Sequence, residues 1–153
     1  MPSRLQVEIK QTKPFASIEQ EAILGLLRTA AIVDHSIDEA LRPFELTATQ
    51  FNVLRILNGA GPEGLCGREV GERMLNRVPD VPRLLERLEK ADLVSRVRDR
   101  EDRRHVATRI TAKGSQLLEE ISHIAMPAEE WFKRLGREQL KALIETLDVI
   151  RQG

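Results

Sequence analysis

Between Arg77 and Arg104 the chain gathers side chains suited to one kind of chemistry, the recognition of a polyanion. Arg77, Asp80, Pro82, Arg83 and Arg87 lie on and just before a short amphipathic stretch, and Arg96, Arg98, Arg100, Arg103 and Arg104 follow soon after. A guanidinium is a planar fork of donors that bridges phosphate oxygens or the O6 and N7 acceptors of guanine. Outward arginines on one helix are by themselves ordinary solvation. The second basic cluster, in a run Asp99-Arg100-Glu101-Asp102-Arg103-Arg104 too polar for any core, favours a nucleic-acid partner.

Charge has to be counted by segment, because the whole chain of 153 residues is neutral, with 24 Lys+Arg against 24 Asp+Glu. Residues 68–113 hold 13 basic and 9 acidic side chains, so 13 − 9 = +4, and the remainder holds 11 and 15, or −4. A basic module sits on an acidic frame. Other chemistries find no support. There is no phosphate-binding glycine loop, nucleophile motif or catalytic carboxylate pair, so an enzyme is not expected. His35, His105 and His123 lack metal-ligand spacing, so neither metal nor cofactor is expected. The single cysteine, Cys66, excludes an internal disulfide. Apolar runs fall well short of the roughly 20 residues that span a bilayer, and the start MPSRLQVEIK has no apolar core of a leader. A cytoplasmic protein without membrane contact is expected, of one domain.

The elements that would position the arginines follow from periodicity. Residues 1–16 have no sustained period and read as an N-terminal arm bent at Pro14. From Ser17 to about Leu41, Ile23, Leu27, Ala30, Ile37 and Leu41 recur at helical spacing, and Leu24, Leu26, Ala31 and Val33 widen the apolar stripe beyond what one small domain covers. Part of this first helix is therefore a candidate dimer surface. Thr47 and Gln50 form a capping box for a second helix, Leu46 and Phe51 a hydrophobic staple, and Gly59 the expected C-terminal stop. A third helix is expected over Gly67 to Leu75. The fourth begins at or just after Pro79, because proline is tolerated only in a first turn, with Leu84, Leu85, Leu88 and Ala91 inward. Leu93 to Arg98 and His105 to Ile110 alternate as two strands of a hairpin whose charged tip projects into solvent. Val94 is on one face with Leu93 and Val97 on the other, and Val106 shares a side with Ile110. Thr111 caps a fifth helix, Pro127 breaks it, and a last helix after Gly136 carries Leu140, Leu143, Ile144, Leu147 and Ile150 on one face. A helix leading into a charge-tipped hairpin is the layout of a winged helix-turn-helix. The fold class is mainly α with a small β wing, about six helices and a two- to three-stranded sheet.

On LTATQFNVLRIL, VPRLLERLEKADLVSR and DREDRRHVATRITAKG, the chain resembles the MarR family of bacterial transcription regulators. The family's Asp-x-Arg at the wing tip corresponds to Asp102-Arg103-Arg104, and its Leu-Thr-x-x-Gly to Ile110-Thr111-Ala112-Lys113-Gly114. Pro82 stands where the family usually has Thr or Ser, and Asp92 where it usually has Gly. The resemblance implies a DNA-binding regulator, a repressor in the commonest case, that binds a palindromic operator as a homodimer. Residues 46–111 would form the winged region, and 17–45 with 112–153 a helical dimerisation region drawn from both termini, with Ile23, Leu27, Trp131, Leu143, Leu147 and Ile150 interlocking between subunits. It assigns Arg104 to the minor groove with Asp102 holding its side chain by an ion pair. Arg98, Arg100 and Arg103 remain as alternative inserting residues or phosphate contacts. It further implies a small aromatic or phenolic effector in a cleft walled by His35, Phe51, Arg55 and residues of the fifth helix. Two other readings stay open: thiol redox sensing through Cys66, and an adaptor whose winged domain contacts protein instead of DNA.

Overall fold

The computed structural model describes residues 1–102 and 104–153. Among them are eight α-helices and one two-stranded antiparallel sheet. Helix α1 (Arg4–Glu8) and α2 (Ile18–Leu41) precede a single 3-10 turn at Arg42–Phe44. Then come α3 (Ala48–Ala60), α4 (Gly67–Arg73), α5 (Val81–Lys90), β1 (Val94–Arg98), β2 (Val106–Ile110), α6 (Ala112–Ser122), α7 (Pro127–Lys133) and α8 (Arg137–Gln152). The count exceeds the expected six because the arm contains a helical turn capped by Ser3, and the break at Pro127 begins a short helix of its own. Proline lacks only a donor that the first turn leaves unpaired anyway.

Helix starts follow the side-chain signals. Gln50 N–H donates to Thr47 Oγ1 at 3.1 Å and Thr47 N–H to Gln50 Oε1 at 3.0 Å, closing the expected box on α3. Loss of such a cap costs about 1 kcal/mol. Ser17 and Thr111 cap α2 and α6 without a reciprocal bond, their hydroxyls accepting from Gln20 N–H and Gly114 N–H. Helix ends are less faithful to expectation. The backbone stays helical through Gly59 to Ala60, and the turn falls at Gly61, where φ is +83°. Helix α4 stops at Arg73 instead of Leu75. Helix α5 starts at Val81, just after Pro79 as expected, with Asp80 as its cap.

The core is small and lies almost wholly in the middle of the chain. Val53, Leu54 and Leu57 of α3, Val70 of α4, Leu85 and Leu88 of α5, and Leu93 and Val94 pack with Leu41, Leu46, Leu65 and Ile121. Leu93 and Val94 are both buried although they point to opposite faces, because Leu93 sits in the corner before the strand and not in it. Ala91, expected inward, is exposed at the C-cap of α5. The next residue, Asp92, takes φ +60°, the left-handed turn expected where relatives carry glycine. That conformation costs an ordinary L-residue roughly 1–2 kcal/mol and aspartate less.

β1 pairs with β2 in the register Val94↔Ile110 to Arg98↔Val106. The third strand is reduced to one bridge, Leu65↔Thr108, made by Thr108 N–H to Leu65 O at 2.7 Å and Leu65 N–H to Thr108 O at 2.9 Å. Gly64 lets this bridge close, since a Cβ there would lie 2.4 Å from Thr108 O. The helices outside this core bury little. Among 24 residues of α2 only Leu41 is buried, and α8 has no buried residue. No helix among the described residues is long and apolar enough to cross a membrane.

Candidate nucleic-acid interface

The hydrogen bonds around α5 fix it from both ends. At its start, Arg83 N–H donates to Asp80 Oδ1 at 3.1 Å, which occupies a carboxylate oxygen in capping the helix and favours the positive end of its dipole. Pro82 follows in the first turn. At its end, the chain is held against α6: Thr111 Oγ1 donates to Asp92 O at 2.6 Å, Lys113 Nζ to Ala91 O at 3.0 Å, and Thr111 N–H to Leu93 O at 3.0 Å. Gly114 permits that approach, because a Cβ would meet Leu93 O at 2.4 Å. The Ile110-Thr111-Ala112-Lys113-Gly114 motif is thus a lock on the C-terminal end of α5.

Leu85 and Leu88 bury one side of α5 in the core, which leaves Arg77, Asp80, Pro82, Arg83 and Arg87 exposed on and beside the other. The wing adds Arg98, Arg100, Asp102 and Arg104, all exposed. Arg103 lies outside the described residues. At the tip, Asp99 N–H donates to His105 O at 2.9 Å, His105 N–H to Asp102 O at 2.9 Å, and Glu101 N–H to Asp99 Oδ1 at 2.9 Å. Asp102 Oδ1 accepts from the main-chain N–H of Arg104 at 3.0 Å. The expected side-chain ion pair between Asp102 and Arg104 is not among the contacts of the described residues. Asp102 orders Arg104 through its backbone instead.

Clustering separates these arginines from the rest of the surface, where exposed Arg28, Arg73, Arg134 and Arg137 also lack an ion pair among the described residues but stand apart in the sequence. Arg4, Arg42, Arg68 and Arg151 each meet a carboxylate about one helical turn away on their own helices. Among the described residues Arg77, Arg83, Arg87, Arg98, Arg100 and Arg104 have no such partner.

A second feature is a cavity of about 530 Å³ between α2, α3, the turn after α4, and the start of α7. Phe51 and Arg55 line it as expected, with the Arg55 guanidinium 5.9 Å from the Phe51 ring centre, a cation–π distance. His35 does not line it and is exposed on α2. The wall expected from the fifth helix is supplied by Met126, Ala128 and Glu129, because the break at Pro127 turns the chain back over α2. Asn52, Met74 and Leu75 are lining residues that sequence reasoning missed. Asn52 lies one residue from the expected Phe51, and it is the contact between α3 and the turn after α4 that brings in the other two.

Cys66 is half-buried at the N-cap of α4. Hydrogen bonds from its backbone N–H, 2.8 Å away, and from its thiol hold the Glu69 carboxyl below the ordinary carboxylate range.

The family's sequence model matches residues 46–106, from the staple of α3 to the first residue of β2. The fold and much of the sequence also match the crystal structure of a MarR transcription factor from Planctomyces limnophilus, at 34% identity over 91% of this chain and 99% of that one, with a TM-score of 0.65. The chain belongs to the MarR family. That is a family of winged helix-turn-helix transcription regulators and not of enzymes. The chain is also similar to the transcriptional repressor CouR, solved bound to a 23-mer DNA duplex, at 27% identity over 84% of this chain and 90% of that one, with a TM-score of 0.72. A further relative is the uncharacterized HTH-type transcriptional regulator YkoM of Bacillus subtilis (strain 168), 29% identical over 87% of this chain and 88% of its own length.

Proposed function

We propose that this MarR-family chain is a sequence-specific regulator, a repressor, that binds a palindromic operator in double-stranded DNA as a homodimer and is released by a small aromatic or phenolic ligand. The observation that carries the reading is the cluster of exposed arginines that α5, the residues before it and the wing bring together, Arg77, Arg83, Arg87, Arg98, Arg100 and Arg104. Helix α5 enters the major groove, where Arg77, Arg83 and Arg87 contact guanine edges and phosphates. The wing enters the minor groove through Arg104, with Arg98, Arg100 and Arg103 on phosphates, because a narrow A·T groove concentrates negative potential. Pro82 brings no hydroxyl to the start of α5, so base contacts there fall to the arginines. The likeness to CouR, a repressor seen on duplex DNA, supports the same partner here.

Two copies are required because one winged domain offers only one half-site. Ile23, Leu27, Trp131 and Ile150 are exposed, and Leu143 and Leu147 are half-buried, on helices with almost no core of their own. The ligand reading is supported by the cavity, which falls within the roughly 300–1,000 Å³ typical of small-molecule sites. Phe51 offers a ring to stack on and Arg55 a cation for a carboxylate or phenolate. The adaptor and redox alternatives have no comparable observation behind them.

Selection of bound duplexes from random DNA tests the reading as a whole. The expected outcome is an enriched palindrome with half-sites about one helical turn apart, roughly 34–36 Å, and A·T pairs under the wings. A pool without enrichment, or binding with no salt dependence, would refute it. Titration of the bound complex with aromatic carboxylates and phenols tests the release step, which Arg55→Ala should blunt for the anionic members.

A further inference from the structure

We infer that Asn52 is a positioning residue for the recognition helix, a latch between α3 and the turn that aims α5. The inference rests on the reading of α5 as the DNA-contacting helix. The chain leaves α4 at Met74 with φ −65° and ψ 142°, an extended conformation in which the next N–H groups lose their helical acceptors. Met74 N–H keeps only a long contact to Gly71 O at 3.4 Å. Leu75 N–H finds Asn52 Oδ1, twenty-three residues back in sequence, at 2.9 Å. Only an acceptor can face an N–H, so this contact fixes which end of the carboxamide points at the turn. Among the described residues it is the one side-chain hydrogen bond joining residues 74–79 to another element.

Three consequences follow from where the latch sits. Arg77 lies two residues beyond Leu75 and Arg83 in the first turn of α5, so the path of this turn decides where both guanidinium groups meet DNA. Helix α3 is itself held at its start by Asp38 of α2, whose Oδ1 accepts from Ala48 N–H at 2.5 Å. The latch therefore refers the aim of α5 to the long helix α2 through two hydrogen bonds, both side chain to backbone. Asn52, Leu75 and Asn76 also line the 530 Å³ cavity, so an occupant acts on the latch residues themselves. A misplacement of α5 by even an ångström would lengthen every base contact at once.

The test compares the full-length wild type with Asn52→Leu, which fills the space without an acceptor, and Asn52→Asp, which keeps one. Asn52→Ala serves as a second acceptor-free variant. Binding to the selected duplex should fall by up to about tenfold in the Leu and Ala variants, the upper end of the net worth of one hydrogen bond, and stay within about threefold in the Asp variant. The Leu75 amide should exchange with solvent faster in the acceptor-free variants and at the wild-type rate with Asp. Unchanged binding by the Leu and Ala variants, or an equal loss in the Asp variant, would overturn the positioning role while wild-type binding stands. A wild type that binds no duplex would overturn the DNA reading and the positioning role together, and Leu75 exchange would then still report on the hydrogen bond alone.

Discussion

At the wing tip Asp102 accepts a hydrogen bond from the backbone of Arg104, and this changes what substitutions there should do. Asparagine offers the same acceptor, so Asp102→Asn should keep operator affinity, whereas Arg104→Ala should lose about 1–3 kcal/mol and lower the salt slope by about 1. Fluorescence anisotropy across a salt series checks both. A large loss with Asp102→Asn would restore the side-chain ion pair as the tip's organising contact. In the middle of β2, away from the tip, Thr108 is buried with Oγ1 unpaired among the described residues, directly across the ladder from Arg96, whose Nε is likewise unpaired. Thr108→Val removes an unpaired buried hydroxyl at nearly constant shape and should stabilise the fold by up to about 1 kcal/mol. The urea midpoint should rise without a change in slope, and a fall would mean that the hydroxyl has a partner in solution.

Among elements, α5 shows how much a helix depends on what grips it. The grip at its C-terminal end passes through Gly114, where Leu93 O leaves no room for a Cβ. Gly114→Ala should destabilise by about 1–3 kcal/mol, the usual cost of overpacking, and should weaken DNA binding beyond that loss because the end of α5 shifts. Thermal unfolding and binding measured on the same samples separate the two effects. Helix starts were legible from single residues because a cap is a side-chain device: Thr47 and Thr111 act as read. Helix ends were not. Gly59 and Gly61 look alike as letters, and the left-handed turn went to Gly61 because the tertiary path keeps Gly59 and Ala60 helical.

For the whole molecule, the apolar surface is the unfinished part. Ile23 and Leu27 of α2, Trp131 and Phe132 of α7, and Ile144, Val149 and Ile150 of α8 are exposed at 38% or more, which a lone chain in water would not sustain at little cost. Light scattering at micromolar concentration should give twice the 17.4 kDa chain mass. Paired charge substitutions at Leu143 and Leu147 should shift that mass toward one chain and reduce DNA affinity together with it. A wild type with the mass of a single chain would remove the dimeric reading.

The sequence by itself determined the order of elements, the caps, the charged wing and the family, because each is written in local residue types and spacing. It also determined which arginines lie outside the core, since helical period alone turns them away from Leu85 and Leu88. The tertiary structure decided the rest. Asp102 bonding to a main chain, α7 instead of α6 walling the cavity, His35 left outside it, and Asn52 meeting Leu75 all depend on contacts between segments far apart in the chain. Periodicity records which face of an element is apolar, and only packing decides what that face meets.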